Sequence, residues 1–390
     1  MRALIMKMFV YLDNSATTKP YPCVREAVAK VLDEEFGNPS TLYTLGLSAE
    51  KIVKSSRASI AKAIGASPEE VYFTSCGTEA DNTAIFGVWK SRNKLGKRII
   101  TTEVEHPAVL RCFEELQRQG ADVVYIPVHS DGNLDVEKLK EALNKDTILV
   151  SIMHVNNESG AIFPIEEIAK EVHKLPNAVF HADCVQSLGK LPIDVKKMGL
   201  DMISISGHKV HGPKGIGALY IKKGLHIPPY IYGGGQESGF RSGTENMPGI
   251  AGFGAAVDNM NVTASAKQMQ DVKAYFADKL SENIENIKFN TPKESAPSVL
   301  NVSFIGCRAE VLLHTLEQDQ IFVSTGSACS SKSKGSHVLR AMGLKPEEIE
   351  GAIRFSFSED NTKEQMDFVL EKIKAAVESQ RVLRAAFKKR

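Results

Sequence analysis

Residues 201–217 read Asp-Met-Ile-Ser-Ile-Ser-Gly-His-Lys-Val-His-Gly-Pro-Lys-Gly-Ile-Gly, and this stretch indicates the fold. Its apolar beginning is typical of a buried strand, and the glycines and proline that follow mark a turn. Open α/β sheets place ligand-binding groups at such strand ends. Lys209 stands there between apolar neighbours, where desolvation favours the neutral amine that attacks carbonyl carbons. Taken alone, an ordinary lysine at a strand end is the simpler explanation, and the rest of the chain decides.

Composition places the chain among ordinary globular proteins. Its 390 residues are 43% hydrophobic and 24% charged, which is enough for two domains. The formal net charge of +1 favours neither nucleic acid nor a membrane as a partner. Six cysteines without a CxxC pair are typical of reduced thiols. With no signal peptide and no apolar stretch of membrane-spanning length, we expect a cytoplasmic protein, and Met6 or Met8 is a candidate for its first residue.

Strands alternate with helices through the first 230 residues. Short apolar runs predict strands at 10–12, 71–74, 98–102, 123–126, 148–152, 179–183, 202–206 and 218–221. The first two helices are predicted from Pro22 to Gly37 and from about Ser48 to Ile64. This alternation is typical of βαβ units, so we predict a mainly parallel sheet with helices on both faces.

The character of the sequence changes after three consecutive glycines, 233–235. Helical patterns then dominate, and short strands are predicted at 298–304, 321–324 and 353–357. We therefore predict two domains. The large α/β domain covers 19–257, and a smaller α+β domain is formed by 1–18 together with 258–390.

Several polar groups stand where an aldehyde cofactor such as pyridoxal phosphate needs support. Its phosphate requires backbone donors at a helix start, and the turn at 75–79 between a strand and a helix can supply them. Ser206 and His208, beside Lys209, can add a hydroxyl and an imidazole. A plain strand-to-helix loop at 75–79 is the alternative interpretation.

The cofactor ring needs partners of its own. Its pyridine nitrogen requires a carboxylate, since the ring withdraws electrons best when that nitrogen is charged. Asp183 ends a predicted strand and can supply it, although an aspartate there can equally cap the next helix. Gln186 can reach the phenolic oxygen, and His106, at another strand end, can stack on the ring and transfer protons.

Two further features indicate a substrate site and a nucleophile. Arg354 lies within an apolar strand, where a guanidinium is costly to bury unless it binds an anion such as a substrate carboxylate; an internal ion pair is the alternative. The segment 324–336 is small and polar, which is typical of a mobile surface loop. Two nearby lysines favour the thiolate of its Cys329, so we predict a reactive thiol in preference to a tolerated surface cysteine.

Together these motifs resemble the cysteine desulfurases of the NifS/IscS type, within the fold-type I pyridoxal-phosphate enzymes. The resemblance covers nearly the whole chain and implies a seven-stranded, mainly parallel sheet and a homodimer. Its motifs are residues 11–18, Gly37-Asn38-Pro39-Ser40, Glu105-His106, His154-Val155-Asn156-Asn157-Glu158, His181-Ala182-Asp183, Ser206-Gly207-His208-Lys209, Gly243-Thr244-Glu245-Asn246, Gly326-Ser327-Ala328-Cys329 and Arg354-Phe355-Ser356.

The resemblance also implies roles for individual residues. Lys209 binds the cofactor covalently and carries the substrate Cα proton, while Arg354 takes the substrate carboxylate. Cys329 receives sulfur from L-cysteine as a persulfide, and alanine leaves. The remaining implied contacts are Gly77, Thr78, Ser206 and His208 with the phosphate, His106 and Asp183 with the ring and its nitrogen, Gln186 and Asn157 with the ring oxygen and the substrate side, Asn14 with the substrate, and Thr244 with the phosphate of the other subunit.

Two positions depart from the family pattern. Tyr43 replaces a histidine, and Cys76 stands where glycine is commoner, so that a thiol is expected close to the cofactor phosphate. We expect both to tune the enzyme without abolishing its activity. An iron–sulfur scaffold is the favoured sulfur acceptor, with tRNA thiolation or another carrier as alternatives.

Other functions remain open at this point. A selenocysteine lyase or a class V aminotransferase would use the same scaffold, although a plain aminotransferase has no use for Cys329. A zinc hydrolase is an alternative of a different class, because His-x-Asp and His-x-x-His spacings can bind zinc. Its ligands would be His181, Asp183, His208 and His211. It would be colourless, whereas a pyridoxal-phosphate enzyme is yellow.

Overall fold

The computed structural model describes residues 8–325 and 335–388. The chain begins with strand β1 (Val10–Tyr11), helix α1 (Pro22–Asp33) and helix α2 (Thr44–Ala63). Helix α1 therefore ends before the predicted Gly37, and α2 begins before the predicted Ser48. Gly37 and Gly46 are sites of close approach, where a Cβ would collide with the Leu45 carbonyl and with Thr41, so neither glycine marks a helix end.

A seven-stranded sheet forms the centre of the larger part of the chain. Its strands are β2 (Val71–Thr74), β3 (Arg98–Thr102), β4 (Asp122–Ile126), β5 (Thr147–Ser151), β6 (Val179–Asp183), β7 (Met202–Ser206) and β8 (Gly217–Ile221). They lie in the order β2-β8-β7-β6-β5-β3-β4. Strand β8 is antiparallel to both neighbours, and the other pairs are parallel. The predicted α/β fold with a mainly parallel seven-stranded sheet is confirmed.

Helices cover both faces of this sheet. They include α3 (Gly77–Arg92), α4 (Pro107–Arg118), α5 (Val136–Ala142), α6 (Ile165–Val172) and α7 (Met247–Asn259). Successive residues of a strand point to opposite faces, so Met202 belongs to one apolar core while Ile203 and Ile205 belong to the other. Burial on both faces explains why these strands have nearly continuous apolar sequences.

The rest of the chain is built around a smaller antiparallel sheet. Its elements are α8 (Val262–Asn283), β9 (Ile287–Phe289), β10 (Val299–Phe304), α9 (Ala309–Glu317), β11 (Ile321–Phe322), α10 (His337–Ala341), α11 (Pro346–Glu350), β12 (Ala352–Ser356) and α12 (Lys363–Lys388). Strands β12, β10 and β9 form this sheet, and β11 pairs in parallel with β1. Val10 and Leu12 join apolar residues between Met269 and Val377 in a separate core. The domain boundaries at 18/19 and 257/258 stay a prediction.

The helices of the described chain include none with the length and apolar character needed to cross a lipid bilayer.

A buried ion pair links α2 to the sheet. Arg57 binds the Glu237 carboxylate through two nitrogens, with N···O distances of 2.6 and 2.8 Å. The Phe73 N–H of β2 donates to the same carboxylate at 2.9 Å. Glu237 has a side chain only 3% exposed, so removing the carboxylate leaves a guanidinium without its partner.

We therefore expect Glu237→Ala to lower the free energy of unfolding by about 3 kcal/mol, as measured by urea denaturation. The matched control is Glu50→Ala, which breaks an exposed ion pair with Lys54 within α2. That substitution should cost less than about 1 kcal/mol, because solvent screens exposed pairs. An equal decrease in the free energy of unfolding in the two variants would show that the Arg57–Glu237 pair stabilises the fold no more than an exposed ion pair does.

Candidate active site

A cavity of about 340 Å³ opens at the carboxyl ends of the parallel strands. The loops that leave β2, β3, β5, β6 and β7 all reach it, as expected for a parallel sheet, in which these ends share one edge. Ten residues predicted from the sequence line this single cavity: Gly77, Thr78, His106, Asn157, Asp183, Gln186, Ser206, His208, Lys209 and Arg354.

Lys209 lies in a tight turn directly after β7. Its Nζ donates to the carbonyl oxygens of Ser15 and Ala16, at 2.6 and 2.8 Å. Thr18 holds the same loop, because its N–H and its hydroxyl both donate to the His208 carbonyl. The N-terminal segment 13–18 therefore positions the lysine at the cavity.

The beginning of α3 has the features of a phosphate site. Cys76 precedes the helix and provides no side-chain cap, so the first N–H groups of α3 remain available to a ligand. A Cβ at Gly77 would lie 2.8 Å from Val185 Cγ2, and the glycine therefore keeps the cradle open. Ser206 Oγ is buried and has no hydrogen-bond partner among the described residues. These groups fit the phosphate of pyridoxal phosphate.

The environment of Asp183 suits a partner for a cationic ring nitrogen. Burial raises the pKa of this carboxyl to about 6, against the lowering effects of the Val185 N–H, at 2.9 Å, and the Lys209 charge. A protonated pyridine nitrogen would favour the ionised carboxylate in the same way. Gln186 donates to the Ser15 carbonyl at 3.0 Å, and its buried Oε1 has no partner within the described chain.

Two of the three histidines that line the cavity, His106 and His208, are neutral. Burial, followed by the charges of Lys209 and His337, lowers the pKa of His106 to about 4. His106 Nδ1 accepts the Ala108 N–H at the start of α4, which leaves the ring proton on Nε2. Burial and the charge of Lys209 also lower the pKa of His208 to about 4, and its Nδ1 lies 3.2 Å from Thr17 Oγ1.

Arg354 was predicted either to bind an anionic ligand or to form an internal ion pair, and its surroundings suit both roles. Its side chain binds Asp13 Oδ1 at 2.7 Å and the Asn157 carbonyl at 3.0 Å, which is the internal ion pair considered as the alternative. It also lines the cavity, and its Nε is buried without a partner in the part of the chain that is described. The guanidinium is thus fixed in orientation and keeps a donor for an anionic ligand.

Cys329 lies outside the described residues, but both ends of its segment reach the cavity. On one side Ser324 forms a backbone bridge with Arg354, whose N–H donates to the Ser324 carbonyl at 2.7 Å. On the other side Ser336 donates to Glu158 Oε2 at 2.5 Å. Ser324 and Ser336 both line the cavity.

Two other predicted residues lie elsewhere. Thr244 lines a separate cavity of about 240 Å³ that also includes Ser75 and Arg241, so its predicted contact with the other subunit's phosphate stays a prediction. Asn14 is absent from the lining of the main cavity. Its amide donates to the Ser356 carbonyl at 2.9 Å and to the Tyr11 carbonyl, so it helps to hold the chain, and its predicted substrate contact stays a prediction.

The departures from the family pattern lie in different surroundings. Tyr43 precedes α2 and is 61% exposed, away from the residues that line the cavity. Cys76 lines the cavity beside Gly77 and Thr78, where a thiol close to the phosphate site was predicted.

Several lining residues were missed from the sequence. They are Asp13, Ser15, Asp81, Glu158 and His337. Asp81 could have been predicted, because it follows Gly77 by four residues on α3 and therefore lies on the same face of the helix. The others come from segments distant in sequence, which only the fold brings together.

The zinc hydrolase interpretation is wrong. His181 is buried between two strand hydroxyls, Ser151 at 2.8 Å and Ser204 at 2.9 Å. His211 stacks on Tyr21, with a ring distance of 4.3 Å, outside the lining of the main cavity. Within residues 8–325 and 335–388, no three His, Cys, Asp or Glu side chains form a group suited to a metal ion.

Known proteins share this sequence pattern and this fold. Residues 10–369 match the family model described as aminotransferase class-V. A cysteine desulfurase IscS of Clostridium botulinum is 43% identical over 96% of each chain, and a cysteine desulfurase of Nostoc sp. is 43% identical over 96% of this chain and 94% of its own. Among solved structures, a NifS-like protein has a TM-score of 0.89 and 38% identity, covering 95% of this chain and all of the other.

The chain belongs to the class V aminotransferase family. Within it, the sequence-based identification as a cysteine desulfurase of the NifS/IscS type, with pyridoxal phosphate as cofactor, is confirmed.

The unpaired Ser206 hydroxyl gives a prediction for cofactor binding. We expect Ser206→Ala to weaken the affinity of the cofactor-free protein for pyridoxal phosphate by about tenfold, since a hydrogen bond to a charged group is lost. Fluorescence titration would measure the change. The control is Ser298→Ala, because Ser298 Oγ is equally buried and unpartnered in the described chain but lies outside the cavity. The hypothesis fails if the two variants bind the cofactor alike.

Proposed function

We propose that this cavity removes sulfur from L-cysteine, with Arg354, Lys209 and Cys329 as the principal groups. The arrangement of the cavity carries the proposal. A lysine, a phosphate cradle, a buried carboxyl and a buried arginine line one space, and both ends of the Cys329 segment reach it. A plain aminotransferase needs only the first four of these features.

Substrate binding begins at Arg354. This side chain is 6% exposed and held by Asp13 and Asn157, so little freedom is lost when it binds a carboxylate. Cysteine would place its carboxylate against the unpaired Nε. Its amino and thiol groups would then extend toward Lys209 and the mouth of the cavity.

Proton transfer at the substrate Cα is the role of Lys209. Bound pyridoxal phosphate supplies an electron-withdrawing ring that stabilises negative charge on that carbon. Asp183 keeps the ring nitrogen protonated, and neutral His106 offers a flat face without a competing charge. The Lys209 amine takes the proton and returns it, since its Nζ is held at the cavity by Ser15 and Ala16.

Cys329 acts as the nucleophile toward sulfur. Its thiolate attacks the substrate sulfur, so that an S–S bond forms while the substrate Cβ–S bond breaks. The electron pair of the broken bond stays with the carbon fragment, which takes up a proton and leaves as alanine. The protein retains a persulfide on Cys329 and can pass its outer sulfur to an acceptor.

The finer assignments extend this proposal. We propose that the sulfur is delivered to an iron–sulfur scaffold, which fits the IscS name of the relatives. We also propose a cytoplasmic homodimer whose second subunit contributes Thr244 to the phosphate site, as the resemblance to the family implies. A selenocysteine lyase on the same scaffold is the alternative. Alanine release from cysteine and from selenocysteine, measured side by side, would distinguish the two.

The nucleophile is tested by Cys329→Ser. This variant should bind pyridoxal phosphate with unchanged visible absorbance and form no persulfide or alanine from cysteine, because a hydroxyl does not attack sulfur here. Mass spectrometry and alanine analysis provide the measurements. Cys23→Ser is the matched control, as this cysteine is half-buried and lies outside the cavity lining. Persulfide formation in Cys329→Ser would remove Cys329 from the role.

The arginine is tested by Arg354→Lys. The substitution keeps a positive charge and loses the planar fork, so we expect KM for cysteine to rise at least about tenfold with the cofactor band unchanged. Steady-state kinetics would measure this. An unchanged KM would show that another group binds the carboxylate.

A further inference from the structure

A second lysine is buried directly behind Lys209. Lys190 lies in the turn region after β6, is 5% exposed, and donates from Nζ to the backbone carbonyl oxygen of Lys209 at 3.2 Å. Among the described residues, no carboxylate oxygen lies within 4 Å of the Lys190 nitrogen, unlike the ion-paired lysines of the surface. An ammonium buried without a counter-ion is costly, so its presence needs an explanation.

The surroundings of Lys190 leave its charge only partly compensated. Burial, followed by the charge of Lys209, lowers the pKa of the Lys190 amine to about 7, and Glu359 opposes this. The Glu359 carboxylate is already engaged, since one oxygen accepts the Tyr21 hydroxyl and the other lies 3.6 Å from His211 Nε2. The positive charges of protonated Lys190 and Lys209 therefore repel each other, and each disfavours protonation of the other amine.

Other ionisable groups face the same pair. On the cavity side of Lys209 the lining contains the Asp13–Arg354 ion pair and the ionisable groups of Cys76, Asp81, His106, Glu158, Asp183, His208 and His337. Behind Lys209 they are Tyr21, His211 and Glu359, and Lys214 lies near His208. The imidazoles of His106 and His208 are neutral, and Arg354 already has a carboxylate partner. The charge of Lys190 has no such partner.

We propose that Lys190 is a positioning residue for Lys209: its amine anchors the Lys209 backbone, and, while it is protonated, its charge disfavours protonation of the reactive Lys209 nitrogen. The inference rests on the proposed role of Lys209 as the cofactor-binding and proton-transferring amine. A like charge nearby disfavours the protonated form, so Lys190 increases the fraction of Lys209 nitrogen that can accept a proton. Because the two groups interact, they titrate as a pair.

The test is a pH titration of the visible absorbance of the cofactor-loaded protein. Replacing the amine in Lys190→Met should move the midpoint of the titration to higher pH by about one pH unit. Lys190→Gln, which keeps a donor for the Lys209 carbonyl and removes the charge, should move it in the same direction. It also serves as the second variant if Lys190→Met fails to fold.

The matched control is Lys273→Met. Lys273 is likewise buried, at 7% exposure, and donates to Ser295 Oγ and the Ala296 carbonyl, but it lies outside the lining of the main cavity. Its loss should leave the midpoint unchanged even if thermal stability falls. An unchanged midpoint in folded, cofactor-loaded Lys190 variants overturns the proposal, as does an equal displacement in Lys273→Met. Failure of the underlying assignment is distinct, because Lys209→Ala would then keep the visible band.

Discussion

Residues 13–18 hydrogen-bond to both parts of the chain, and the cavity depends on these contacts. The Ser15 carbonyl accepts from Lys209 and from Gln186, which follow two different strands of the large sheet. Asp13 binds Arg354, and Asn14 donates to Ser356, both on a strand of the smaller sheet. The segment therefore sets the distance between the amine and the guanidinium, the two groups that must act on one small substrate.

Desolvation governs the chemistry of this cavity. Burial is the largest cause of the low pKa values of His106, His208 and Lys190, and of the raised pKa of Asp183. Each of these four pKa shifts favours the uncharged form of the group. A cationic cofactor ring and an anionic substrate therefore meet few competing ions, and the interactions that remain are strong because little water screens them.

The pattern of strands and helices could be predicted because it is local. Apolar runs bounded by turns mark β2, β6 and β7 within a residue or two, since strands buried on both faces need continuous apolar residues. The same reasoning misjudged helices α1 and α2. Gly37 is predicted as the end of α1, whereas close approach of the Leu45 backbone requires a glycine there, and contacts between residues distant in sequence are not visible in periodicity.

The sequence by itself determined the alternating α/β architecture and the family, and it predicted ten of the residues that line the cavity. Several of these, such as His106, Asp183 and Lys209, stand at or just after strand ends, and such ends meet at one edge of a parallel sheet. Only the tertiary structure decided which polar groups are left unpaired. Ser206 and Arg354 Nε remain unpaired in the described chain, Asn14 is taken by backbone carbonyls, and Lys190 reaches the Lys209 carbonyl. Those outcomes depend on distances of about 3 Å between segments far apart in the chain, which no local pattern records.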